Sequence, residues 1–117
     1  LKNKKMNNSI GIINKQEIQT VIVDKVEYIY LKPICSALGI SYSKEVHEVM
    51  DNDFVSDKHK LLPFVVGEKE TDSIAIPLKY MLGYVGVISR DTVLNKVEYI
   101  ENLKVLHDLI YNSIFKQ

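Results

Sequence analysis

Along this chain the apolar positions first alternate, then step by threes and fours, and the change of period marks out the elements. QEIQTVIV, from Gln16 to Val23, is rich in β-branched residues and Val26 to Tyr30 alternates, so the two predict a hairpin about Asp24-Lys25. That turn lacks the glycine favoured in two-residue hairpin turns, which leaves the register open. Pro33 fits the first position of a helix, where its missing N–H has no intrahelical partner to lose. Ile34 and Leu38 share a face of that helix, and Gly39 supplies the left-handed residue that ends it. Ser41 or Ser43 then caps a second helix, with Glu45 near its positive end and Val46, Val49 and Met50 as its apolar stripe; Asp51-Asn52-Asp53 breaks it.

Leu61 to Val66 reads as another strand, placed at a sheet edge by Pro63, which cannot donate to a ladder. Gly67 to Ser73 reads as a polar loop and Ile74 to Ile76 as the returning strand. Pro77 opens a short helix or turn holding Leu78, Tyr80, Met81 and Leu82, and Gly83 and Gly86 bracket a flexible connection through Tyr84-Val85. From Asp91, a reasonable N-cap, to Phe115 there is neither Gly nor Pro, and Val93, Val97, Ile100, Leu103, Leu106, Ile110 and Ile114 recur at helical spacing; Leu94, Leu109 and Phe115 widen that stripe. Such a helix is ~36 Å long and crosses a whole domain. It is expected to pack on the sheet; a helix that pairs two copies into a homo-oligomer is the alternative, weakened by the want of a strict heptad. The expected fold is a single α+β domain: a small antiparallel sheet of hairpins, a central helix–turn–helix-like pair and a long C-terminal helix.

At 117 residues the chain suffices for one domain with a core of its own. Fifteen basic and fifteen acidic residues cancel, so no global field draws it to nucleic acid or membrane. The charges are unevenly placed. Lys2, Lys4, Lys5 and Lys15 stand in the first sixteen residues without an acidic one, and Glu45, Glu48, Asp51, Asp53 and Asp57 surround the single Lys44. Residues 1–15 read as a flexible basic lead-in, with an arm that contacts phosphates as the sharper alternative. Cys35 is the only cysteine, which fits a reducing compartment, and no apolar run spans a bilayer; a cytoplasmic protein with no membrane partner is expected.

Little here reads as chemistry. His47, His59 and His107 stand apart from Cys35 and from one another, so no metal site is expected. Cys35 has no base near it in sequence and reads as a small buried hydrophobe. The glycines form no phosphate-binding pattern, and the acidic stretch lacks the ligand order of a calcium loop and reads as a solvated helix face. No cofactor and no enzymatic activity are expected. What remains is recognition. In a DNA-reading helix–turn–helix the second helix presents its first turn to base edges, which here means Ser41, Tyr42, Ser43, Lys44 and His47. Two features oppose that use. The motif wants an apolar residue six positions after Gly39, where Glu45 stands, and Glu45 with Glu48 would repel phosphates.

The order of VEYIYLKPICSALGIS, LLPFVV, IAIPLKYMLGYV and a helical tail with LHDLI resembles the N-terminal domain of phage antirepressors of the Salmonella-phage type, related to the Bro-N domain. The likeness covers roughly residues 16–115 and makes 16–117 the domain. Pro33, Cys35, Leu38 and Gly39 fit its first motif; Pro77, Leu78 and Gly83 fit its second, where Tyr84 stands in place of the usual Trp. The second helix is more acidic than the family pattern. The resemblance implies a phage or prophage regulator that relieves repression by binding a repressor protein, whereas Bro-type relatives imply DNA binding. A repressor protein is the expected partner, with DNA as the alternative.

Overall fold

Two turns built without glycine start the sheet. In the computed structural model, which describes residues 7–85 and 96–115, Asn14-Lys15 and Asp24-Lys25 all take left-handed φ values between 52° and 70°. A two-residue turn with positive φ matches the twist of antiparallel strands, and the cost of about 1 kcal/mol for each non-glycine residue is offset by the ladders it closes. These turns join β1 (Asn8–Ile13) to β2 (Gln16–Val23) and β2 to β3 (Val26–Tyr30), with Val23 opposite Val26. The predicted hairpin is therefore present, in the tightest register. The lead-in expected over residues 1–15 contains a strand: Asn7 Nδ2 donates to Gln19 Oε1, and Gly11 lies at a bulge where Leu109 packs against the backbone.

α1 (Leu31–Leu38) and α2 (Tyr42–Asp51) follow, then β4 (Lys60–Val66), β5 (Lys69–Pro77), α3 (Leu78–Tyr84) and α4 (Lys96–Phe115). The five strands pair antiparallel in the order β1-β2-β3-β5-β4, so β4 with Pro63 is an edge strand, as expected. The segment read as a loop over 67–73 is mostly strand. Gly67, at φ 62°, and Glu68 make the turn, and β5 begins at Lys69. Its polar residues misled because this half of the hairpin pairs with β4 alone; β5 meets β3 only from Ala75 to Pro77. Water on both sides of a two-stranded projection favours polar side chains.

Alternation along β3 splits the core. Ile29 lies with Ile18 and Ile76 under the helices, where Ile34, Leu38, Val49, Met81, Leu106 and Ile110 complete the main cluster. Tyr28 and Tyr30 point to the other face and join Val21, Phe64 and Ala75. There the Tyr30 hydroxyl donates to the carbonyl of Pro63 at 2.6 Å, and its ring lies 4.8 Å from that of Phe64. Burying a phenol with its hydroxyl satisfied closes this face, whose cluster takes no residue from the described helices.

α4 is a helix as predicted and packs against α3, α1 and β1, but its phase differs. Tyr99, Leu106 and Ile110 are buried with Leu103 half-buried, while Val97 (71% exposed), Ile100 and Phe115 point outward. The cause is a helix apolar on two faces, for which spacing alone does not say which faces the core. Asp91, Val93, Leu94 and Gly86 lie outside the described residues. Among the described residues no helix is long and apolar enough to cross a membrane.

Candidate functional site

The α1–turn–α2 unit is fixed at each end by an identifiable bond. α1 starts two residues earlier than expected, putting Pro33 third in the helix. Tyr30 gives no side-chain cap, and Ser73 of β5 takes that role by accepting from the Lys32 N–H at 3.2 Å. Gly39, at φ 72°, ends α1 as predicted: its N–H donates to the Ser36 carbonyl and that of Ile40 to the Cys35 carbonyl. Ser41 rather than Ser43 caps α2, its Oγ accepting from the Lys44 N–H at 3.2 Å.

Glu45 is the main departure from the sequence reading. It is 1% exposed, on the inward side of α2 beside Val49, not on a solvated face. The Tyr84 hydroxyl, from α3, donates to Glu45 Oε2 at 2.5 Å. Counting from Gly39 thus found the right position and the wrong consequence: the motif's core-facing slot holds a carboxylate because a phenol reaches it. The pair tunes its surroundings. Burial, and then the hydrogen bond and charge of Glu45, raise the Tyr84 hydroxyl above its ordinary value, while burial followed by Glu45's charge pushes the Cys35 thiol up to about 12. Cys35 is therefore a neutral thiol near pH 7 and no nucleophile. Pro33, Cys35, Leu38, Pro77, Leu78 and Tyr84 are all buried, and Gly83 sits inside α3, not in a connection after it.

The five residues proposed to contact a partner divide. Tyr42 is committed to the fold: its hydroxyl accepts from the Ile74 N–H at 2.9 Å, and Lys32 Nζ lies 5.2 Å from its ring centroid while donating to Thr71. Tyr42 is half-buried, and its hydroxyl is engaged by the sheet. Ser41 serves as the cap, and Lys44 is half-buried. Ser43 and His47 face solvent, on one stripe of α2 with Met50, which leaves the core-facing set predicted for it and is 48% exposed. Beyond the helix end the stripe continues to Phe54, 50% exposed. An Asx turn holds it there, Asn52 Oδ1 accepting from the Phe54 N–H at 2.8 Å. Its ring packs edge-on to Tyr80 of α3, 5.5 Å between centroids, and Lys58 and Lys79 hold their ammonium groups 5.5 and 5.6 Å from the Tyr80 centroid.

Comparison with protein-family models, with curated proteins and with solved structures found no match in any of the three. Among the described residues no three His, Cys, Asp or Glu side chains converge in a way that could hold a metal ion. The outward stripe Ser43–His47–Met50–Phe54 has the composition of a binding face: two large apolar anchors, two polar contacts and cations at one end. Sequence reasoning missed Phe54 and Tyr80, because a Phe inside DNDFVSDKHK carries no period; the breaker Asp51-Asn52-Asp53 before it was the available signal.

Proposed function

We propose that the chain is a non-catalytic, cytoplasmic regulatory module of the antirepressor type, and that it relieves repression by holding a repressor protein against the outward stripe of α2. The observation that carries this is the exposure of Met50 and Phe54 beside His47. Apolar anchors with a polar margin suit a protein surface, and phosphates offer them nothing to bury against. Glu48 and Asp51, also exposed on α2, favour a basic partner surface. The rival reading is DNA contact through Lys44, His47 and the basic arm. One observation favours it: with Glu45 turned inward, α2 presents one carboxylate fewer to a phosphate backbone.

The test is capture of the repressors encoded in the same genome by the purified chain, followed by titration calorimetry with M50D and F54D. Loss of capture with either variant, at unchanged far-UV circular dichroism, supports the protein-partner reading. No repressor captured, together with duplex binding whose log–log salt slope is about −0.9 per phosphate contact and which K44E weakens, would replace it with the DNA reading.

A further inference from the structure

The outer face of α4 carries its own complement. Turned away from the core are Val97, Ile100, Lys104, Asp108, Tyr111 and Phe115, spaced by threes and fours so that they form one stripe along a 20-residue helix. Ring contacts line its C-terminal half, Tyr111 lying 4.7 Å from Phe115 and 6.4 Å from His107. Val97 is 71% and Phe115 60% exposed, and the Asp108 side chain is 79% exposed at the middle of the stripe. A helix with apolar residues on both faces has a second surface to cover.

We infer that this face pairs two copies of the chain antiparallel about a dyad passing α4 at Leu106. A two-fold contact must satisfy itself: if residue i meets residue j, then j meets i. The dyad meets that condition with residues already on the stripe. Val97 of one copy falls opposite Phe115 of the other, Ile100 falls beside Tyr111 and Asn112, and Lys104 falls opposite Asp108, each contact occurring twice. The charges select the direction. Parallel pairing would set Lys104 against Lys104 and Asp108 against Asp108 at the centre of the seam, whereas the antiparallel arrangement converts both repulsions into attractions. It also keeps the α2 stripe and the sheet out of the contact, so dimer formation and partner binding occupy different elements.

Sedimentation equilibrium of the full chain over a concentration series tests the pairing. The expected result is a reversible dimer. K104D and D108K should each weaken it by at least about tenfold, since two attractive pairs become repulsive, and the double exchange K104D/D108K should return it to within a few-fold of the parent. V97D, which puts a carboxylate into the apolar end of the seam, should abolish it. All three substituted positions are exposed, and circular dichroism checks that each of the four variants is folded. A chain that stays monomeric at ~0.2 mM, where a dimer of micromolar Kd would be almost fully formed, overturns the inference, as does a double exchange no better than the single ones.

Discussion

The buried bond between α2 and α3 makes a quantitative prediction. Tyr84→Phe removes the hydroxyl that donates to Glu45 Oε2 at 2.5 Å and changes little else, because both side chains are 1% exposed and the ring stays packed. A hydrogen bond to a charged acceptor contributes ~1.5–3 kcal/mol, and a buried carboxylate short of a donor adds its desolvation, so the loss is about 2–3 kcal/mol. Glu45→Met is the reciprocal change: it strands the Tyr84 hydroxyl in the core and costs about 1–3 kcal/mol. Together the two substitutions replace both partners of this bond by an apolar contact of similar volume, and exchanges of that kind are often near neutral.

The measurement is a double-mutant cycle by urea denaturation, with melting temperature as a second readout. For a domain of this size 1 kcal/mol moves the melting point by roughly 4 °C, so Y84F should melt about 8–12 °C below the parent. The double variant should lie much closer to the parent than the two losses added, a coupling of ~2 kcal/mol or more. If Y84F changes stability by less than ~0.5 kcal/mol, or the two losses add within that margin, the bond does not hold α2 to α3 and this account of Glu45 fails.

Three further predictions follow from other contacts. Cys35 titrates at about 12 in the folded chain against an ordinary 9.0. The unfolded chain therefore loses that proton first, the associated stability is intact below pH 9, and it falls by at most ~1.4 kcal/mol per pH unit as pH rises from 9 through 12. Cys35→Ala should flatten the slope of unfolding free energy against pH in that window, and an unchanged slope refutes the assignment. At Gly11 an added Cβ would lie 2.6 Å from both terminal methyls of Leu109. Gly11→Ala should cost about 1–3 kcal/mol by pushing α4 from β1, with partial rescue by Leu109→Ala, and an undiminished melting temperature counts against it. Ser41→Ala, which removes the acceptor for the Lys44 N–H, should cost about 1 kcal/mol without changing dimer formation; a parental stability would mean that α2 needs no cap.

The α+β architecture was legible wherever a local rule and the tertiary environment agree. Gly39 ends α1 as its left-handed preference requires, Pro63 marks an edge strand, and β2 and β3 carry the β-branched and aromatic residues that strands buried on both faces require. Failures came where contact overrides propensity. Asn8, Ser9 and Gly11 are poor strand formers, yet β1 forms because its partner strand and Leu109 of α4 supply what its composition lacks. Val97 and Tyr99 lie on opposite faces of α4, either of which spacing alone could turn to the core, and only packing on α3 and β1 chooses the face of Tyr99. For the candidate site, Ser43 and His47 were legible as the outward first turns of a capped helix. Tyr42 was not, since nothing local shows a hydroxyl accepting from a β5 amide 32 residues away. Glu45 was hidden for the same reason, its partner lying 39 residues on.

Those two long-range bonds set the placement of the helix pair. α2 is held from its inner side at Tyr42 and Glu45, one bond to the sheet and one to α3. Its outer stripe meets α3 as well, since Phe54 packs edge-on to Tyr80 and lies so close over Gly83 that a Cβ there would come within 2.8 Å of the ring. Glycine inside a helix costs about 1 kcal/mol against alanine, and here it leaves room for that ring. α3 is thus tied to both the buried and the exposed side of α2. A partner that gripped Met50 and Phe54 would be reading a surface assembled from two helices whose relative position the Glu45–Tyr84 bond fixes. Loosening that bond should therefore weaken partner binding without touching any contact residue, whereas DNA contact through Lys44, His47 and the basic arm would be less sensitive to the placement of α3.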